Sequence, residues 1–112
     1  MRLAYLPIDP AAGFPQRFRC RVAGVLLDFE IRYNSEGDFF TATVRDEAGD
    51  VIVYGRPFVY GSNLFESVSD PRLPAVPIVP ADVAGIRDRV GRQEFMQDVL
   101  PFIVLPLEEA AT

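Results

Sequence analysis

The sequence predicts an all-β fold: a small antiparallel β-barrel or sandwich of about seven strands, built on an N-terminal meander, with little helix. Apolar and polar residues alternate through Gln16–Arg45, as they do in half-buried strands. Glycine, asparagine and aspartate interrupt this alternation at short intervals, which is typical of hairpin turns. Ten prolines in 112 residues leave little room for long helices. The length fits a single domain over residues 1–112.

The first hairpin joins Gln16–Val22 to Val25–Tyr33 through the two-residue turn Ala23-Gly24. Antiparallel pairing then sets five pairs opposite each other: Val22–Val25, Cys20–Leu27, Phe18–Phe29, Arg19–Asp28 and Arg17–Glu30. The apolar pairs share one face, and the oppositely charged pairs share the other. A slip of one residue would destroy both patterns, so this register is strongly specified.

The second hairpin turns at Asn34–Gly37, within the stretch IRYNSEGDFF. Asparagine, serine and glycine are residues that favour turns. Folding back there predicts a third strand at Phe39–Arg45, with three buried pairs: Ile31–Phe40, Phe29–Ala42 and Leu27–Val44.

The third hairpin turns at Asp46–Asp50, the stretch DEAGD. Gly49 stands where a three-residue loop needs a left-handed residue. This loop pairs Val44 with Ile52 and Ala42 with Tyr54, whereas a four-residue loop would bury Val51 and Val53 instead. We expect the three-residue loop.

The remainder of the chain is less regular. A strand is expected near Ala75–Val79, a short helix or an ordered loop within Ala81–Gln97, and a last strand at Val99–Leu105. The last strand is apolar on both faces and therefore needs cover on both sides. Pro101 argues against a central position, because it cannot donate to the ladder. Either the strand is buried with a bulge, or it docks on a partner through a surface formed by Ala75, Val76, Ile78, Val79, Val99, Phe102 and Val104.

The composition argues against several classes of function. Histidine is absent and Cys20 is the one cysteine, so neither a Ser-His nor a Cys-His pair can form, and a zinc site is a poor prospect. The net charge of −5 argues against a nucleic-acid-binding protein. No apolar run reaches the length of a membrane helix, and the N-terminus is not that of a signal peptide. We predict no catalytic, cofactor-binding or metal-binding residues.

Three groups of residues allow a sharper interpretation. Asp28 and Glu30 share a strand face and could perform acid–base chemistry or bind a divalent cation, but arginines across the hairpin are expected to neutralise them. An arginine stripe at positions 17, 19 and 21 lies on that face, and Arg21 has no acidic partner because it lies opposite Leu26. An aromatic segment could stack nucleic-acid bases or fill the core, and we favour the core; its members are Tyr54, Phe58, Tyr60 and Phe65.

The order of these signals resembles that of a family of small bacteriophage tail proteins, the baseplate plug proteins of contractile tails. The resemblance spans nearly the whole chain, and five short pieces carry it: Arg32-Tyr33-Asn34, Phe39-Phe40, Gly49 with Ile52, Gly55, and Gly61-Ser62-Asn63-Leu64.

The resemblance implies a structural protein of the virion, located in the tail baseplate and assembled in the host cytoplasm. It implies contacts with the hub and central spike proteins, in several copies of a symmetric assembly, with a trimer favoured. It implies no enzyme activity, no cofactor, no membrane and no sequence-specific nucleic-acid binding. The alternative is a small β-barrel that binds a ligand or single-stranded nucleic acid, and an enzyme using Asp28 and Glu30 is the third possibility.

Overall fold

The fold consists of two antiparallel sheets. The computed structural model describes residues 2–106. These residues form a four-stranded sheet in the order β2-β3-β4-β5 and a three-stranded sheet in the order β1-β7-β6. The strands are β1 (Arg2–Tyr5), β2 (Gln16–Val22), β3 (Val25–Asn34), β4 (Phe39–Arg45), β5 (Val51–Pro57), β6 (Ile78–Ala81) and β7 (Leu100–Leu105). One 3₁₀ turn, Pro10–Ala12, is the sole helical element described. The all-β prediction is confirmed, and the arrangement is sandwich-like, without a closed barrel in the described range.

The first hairpin has the predicted register. Each of the five pairs, from Val22–Val25 to Arg17–Glu30, lies opposite as expected. Ala23 and Gly24 have φ angles of 50° and 84°, so both turn residues are left-handed, as the twist of a two-residue hairpin requires. The agreement between turn chemistry, apolar face and charged face explains why this register could be predicted.

The second hairpin differs from the prediction by two residues. Ile31 lies opposite Ala42 and Phe29 lies opposite Val44, so the predicted pairs Ile31–Phe40, Phe29–Ala42 and Leu27–Val44 are wrong. The turn is longer than expected, because Asn34 pairs with Phe39 and Asp38 takes a left-handed φ of 53°. A shift of two residues keeps every side chain on its face, and the hydrophobic pattern therefore cannot detect it.

The third hairpin closes with the predicted three-residue loop. The Asp46 N–H donates to the Asp50 carbonyl at 2.9 Å, and Gly49 has a φ of 96°. Bulges then shift the register, so that Val44 lies opposite Val53 and Ala42 opposite Arg56. The predicted pairs Val44–Ile52 and Ala42–Tyr54 are therefore wrong. A bulge adds an unpaired residue to one strand and reverses the face that follows it.

The three-stranded sheet has β7 at its centre, which corrects the expectation drawn from Pro101. Pro101 lies opposite Pro80 of β6, while its carbonyl accepts the Leu6 N–H at 3.2 Å on the β1 side. In an antiparallel strand the N and the carbonyl of one residue point to the same side. The N–H that Pro101 lacks would therefore point toward β1, at the end of the ladder between β1 and β7. Only one hydrogen bond is lost there. β1 was not predicted from the sequence.

The long connections are ordered loops that tie the two sheets together. The N–H groups of Gly61 and Leu64 donate to the Pro80 and Ile78 carbonyls of β6, both at 2.8 Å. The Asn63 side chain accepts the Ile78 N–H at 3.1 Å. The Gly61–Leu64 segment thus covers the outer edge of β6. Residues 82–97 form turns without a helix, and β6 begins at Ile78 rather than Ala75.

The core is one apolar cluster with members from both sheets and from the connections. Phe29, Leu27 and Ile31 of β3 are buried in it together with Ile78 and Ile103 of the three-stranded sheet. Four neighbouring aromatic rings, those of Phe14, Phe40, Phe95 and Phe58, extend the cluster under the 82–99 loop, with centroids 4.8–5.1 Å apart.

Candidate interaction surfaces

The outer face of the three-stranded sheet, called here the apolar face, is made of five side chains: Leu3, Tyr5, Val79, Phe102 and Val104. Pro101 and Ile103 of β7 are buried, so the alternate residues of β7 point to the opposite face. Leu3 lies opposite Val104, while Tyr5 and Val79 lie opposite Phe102 on either side. Leu3 and Tyr5 are 45% and 52% exposed. The described residues do not cover this face, although it is apolar.

The structure divides the predicted partner residues into three groups. Val79, Phe102 and Val104 lie on the apolar face and are partly buried. Val76, Ile78 and Val99 are buried, the last two at 0% exposure. Ala75 is exposed and lines an open groove of about 680 Å³ along the proline-rich segment Val68–Pro77. Leu3 and Tyr5 were missed because β1 is short and its alternation spans only four residues.

The opposite surface, the outer face of the four-stranded sheet, is charged. Asp28 is 6% exposed and accepts from the Arg17 Nε at 2.8 Å, with the Arg19 Nε at 3.8 Å. The predicted Arg19–Asp28 ion pair is therefore present. The predicted Arg17–Glu30 ion pair is not, since Arg17 reaches diagonally to Asp28, within range of a long side chain.

Glu30 has other partners than the expected one. Arg32 Nη2 lies 2.8 Å and Arg45 Nη1 3.2 Å from its carboxylate. The hydrogen bond from Arg45, together with the bond and charge of Arg32, holds the pKa of Glu30 below its usual range. Asp28 and Glu30 are thus ion-paired carboxylates, which gives no support to a general acid.

A second cluster fastens the β3–β4 turn to the long loop. The Tyr33 hydroxyl donates to the Asp38 carboxylate at 2.7 Å, and the Arg92 N–H donates to it at 2.9 Å. Arg89 forms an ion pair with the same carboxylate. The Tyr33 hydrogen bond, then the Arg92 N–H and the Arg89 charge, lower the pKa of Asp38.

Two further carboxylates organise loops. Asp82 accepts the N–H groups of Arg87, Ala84 and Ile86 at 2.8, 2.9 and 3.0 Å, and these bonds lower its pKa. Arg72 bridges Asp70 and Asp46 at 2.7 and 3.0 Å, which lowers the pKa of Asp70 to about 2. Both sets of contacts satisfy loop backbone and side chains, and all three carboxylates are engaged in them.

The aromatic segment does not form a stacking platform. Phe58 and Phe65 are buried at 3% and 6% exposure, and Tyr60 packs against the core. Tyr54 is 82% exposed, so the expectation that it fills the core is wrong, and the cause is the bulge in β5. One exposed ring without aromatic neighbours cannot stack successive bases.

Residues 2–106 form neither a metal-binding cluster nor a membrane-spanning helix. No three acidic or cysteine side chains in this range are grouped closely enough to hold a metal ion. Nor does the range include a helix with the length and apolar character needed to cross a bilayer.

Comparison with known proteins supplies the family. A family model described as "Cyanophage baseplate Pam3 plug gp18" matches residues 3–106, which covers both candidate surfaces and every strand except Arg2, the first residue of β1. The comparisons with curated proteins and with solved structures give no match. All five pieces that carry the sequence resemblance lie within the match, and the Gly61–Leu64 piece ties the connecting loop to β6. The chain belongs to the bacteriophage baseplate plug family, whose members are structural proteins of the tail baseplate.

Proposed function

We propose that this protein occupies the hub end of the tail tube and binds the hub and central spike proteins through its apolar face. The single observation that carries the proposal is that this sheet has a second apolar side. Leu3 and Tyr5 are about half exposed and border Phe102 and Val104. A contiguous apolar patch on a folded protein is typical of a protein interface.

Burial of this face would stabilise the assembly substantially. Covering a large apolar side chain contributes about 1.5–3 kcal/mol when it is fully removed from water. Leu3 and Tyr5 are already about half buried and the other three side chains more so, which makes the gain for each smaller. A stable interface needs roughly 600–1,000 Å² from each partner. The apolar face is therefore the centre of the contact, and the adjoining groove at Ala75 extends it.

The proposal includes several copies in a symmetric assembly, with a trimer favoured, formed in the host cytoplasm and carried into the virion. Supporting it is the family membership, which implies assembly with other baseplate components. The whole of residues 1–112 acts as one domain in this proposal. The outer face of the four-stranded sheet does not favour an enzymatic role, because arginines form ion pairs with Asp28 and Glu30 there.

The test is co-expression with the hub and spike proteins, followed by size-exclusion chromatography with light scattering. Tyr5→Glu combined with Leu3→Glu should abolish co-elution without unfolding the chain, since both side chains are already about half exposed. Val83→Glu combined with Ile86→Glu is the matched control, because these residues are apolar, exposed and distant in sequence.

The wild-type chain alone should self-associate or dissolve poorly, and the hub protein should rescue it. A soluble monomer at high concentration that ignores both partner proteins would contradict the proposal. Equal loss of binding in the control variant would also contradict it.

A further inference from the structure

The free edge of β2 has the properties of a strand-binding site. β2 pairs with β3 on one side only. Within residues 2–106, no backbone hydrogen bond from outside the hairpin reaches Arg17, Arg19 or Arg21. The edge is seven residues long, contains no proline and is crossed by no loop that bonds to its backbone. Long unpaired edges of this kind are the positions at which sheets accept another strand.

The pairing pattern identifies which backbone groups are free. Val22–Val25 closes a two-residue turn and is therefore a hydrogen-bonded pair. Hydrogen-bonded and non-hydrogen-bonded pairs alternate, so Cys20 and Phe18 also bond to β3. The N–H and carbonyl groups of the three arginines consequently point away from the sheet. These three residues, whose backbone groups face the open edge, also carry the positive side chains; the Arg21 carbonyl additionally accepts the Cys20 thiol at 3.6 Å.

The side chains specify the chemistry of the partner. On the outer face Arg17 and Arg19 share one carboxylate, Asp28, and no carboxylate of residues 2–106 forms an ion pair with Arg21. On the inner face Phe18 and Cys20 stay half-buried at the margin of the core. A strand with acidic residues on one face and apolar residues on the other would satisfy both. β3 itself has this pattern, with Asp28 and Glu30 alternating with Leu27 and Phe29.

The same residues exclude a second copy of this edge. Two β2 strands paired antiparallel with matching faces would place arginine against arginine at every outer position. Like charges directly opposite each other destabilise a sheet. Two copies of this edge therefore repel each other, whereas a strand of opposite charge can pair with it.

We propose that the free edge of β2 binds an extended protein segment in which acidic and apolar residues alternate, and that this segment becomes a fifth strand of the large sheet. The inference depends on the edge of the four-stranded sheet and not on the apolar face. It therefore stands or fails independently of the proposed function.

The probe is a synthetic seven-residue peptide that alternates glutamate with valine, matched in length to β2. Titration into the labelled protein, followed by amide chemical shifts, should perturb residues 17–22 more than the β5 edge. A peptide with lysine in place of glutamate should not bind. Arg19→Glu combined with Arg21→Glu should weaken binding of the glutamate peptide about tenfold and allow the lysine peptide to bind. Arg2→Glu combined with Arg87→Glu, which changes the net charge equally elsewhere, should leave binding unchanged.

A second pair of variants isolates the backbone contribution. Arg19→Ala removes the charge and keeps the N–H, whereas Arg19→Pro also removes a donor that points to the free edge. Proline is tolerated where a strand N–H faces solvent, so both variants should fold, which circular dichroism checks. Arg19→Pro should bind the glutamate peptide clearly more weakly than Arg19→Ala. Equal binding by the two would contradict pairing through the backbone.

Two other results would overturn the proposal. If a single-stranded oligothymidine binds the arginines more tightly than the glutamate peptide, the edge is a nucleic-acid site. If neither peptide perturbs residues 17–22, the arginines only protect the edge from other strands.

Discussion

Truncation of Phe29 to alanine tests the core on which both surfaces depend. Phe29 is fully buried in β3, and the Phe18 ring stacks on it at 5.5 Å between centroids. Removing a buried phenylalanine ring costs about 3–5 kcal/mol, a large part of the roughly 5–15 kcal/mol that stabilise a domain of this size. Unfolding entropy is about 2.1 cal/mol/K per residue, or about 0.24 kcal/mol/K for 112 residues. Phe29→Ala should therefore lower Tm by about 13–21 °C.

Calorimetry and urea unfolding followed by circular dichroism would measure this loss. Tyr54→Ala is the control, because that ring is 82% exposed and its removal should change stability by no more than about 0.5 kcal/mol. Phe18→Ala should fall between the two, because Phe18 is half-buried at the sheet edge. If Phe29→Ala and Tyr54→Ala lowered Tm equally, the meander would not form the core and the assignment of its faces would be wrong.

Four further outcomes are expected. Carboxylates such as Asp70 and Asp82 have lowered pKa values in the folded chain; their stabilisation is present above the unfolded pKa near 4 and is lost as the pH falls toward 2. The urea concentration at the unfolding midpoint should accordingly decrease as the pH is lowered below about 5. It should stay level between about pH 6 and 8, where histidine would titrate, and a step near neutrality would contradict this. Gly49→Val should lower the urea midpoint by the equivalent of about 1–2 kcal/mol, because φ is 96° there, and Gly49→Asn should cost less. Asp82→Ala should speed amide hydrogen exchange at the three N–H groups that Asp82 accepts, while the β3 amides keep their protection; unchanged exchange would refute the role of this carboxylate. Arg19→Ala should cost less than about 1 kcal/mol in urea unfolding, since its ion pair with Asp28 is exposed on the arginine side, and a larger loss would mean that this pair supports the sheet.

The sequence predicts the sheet best where several signals constrain the same register. In the first hairpin, turn residues, apolar pairs and opposite charges agree, and the register follows. In the second, the hydrophobic pattern has a period of two and cannot distinguish Phe40 from Ala42 as the partner of Ile31. In the third, the loop is predictable from Gly49, but the bulge beyond it has no local signal in the sequence.

The candidate surfaces, too, can be predicted only in part from the sequence. The two-sided apolar character of the last strand is evident in the sequence, and it predicts that cover is needed on both sides. Which residues face outward depends on the strands that flank β7, and neither β1 nor the position of Ile78 could be derived. The arginine stripe is visible at strand spacing. That it lies on a free edge is known only once the sheet order is known.

The apolar face is assembled from segments that lie far apart in the chain. β1 pairs Arg2 with Leu105 and Tyr5 with Phe102, so its partners are about a hundred residues away. The meander from β2 to β5, by contrast, closes through short turns. Local pairings of this kind form early in folding, and distant ones form late. Residue 105 must therefore leave the ribosome before the apolar face can exist. Nascent or truncated chains would carry the arginine edge without the apolar face, so the proposed binding to the hub and spike proteins would admit only complete subunits to the baseplate.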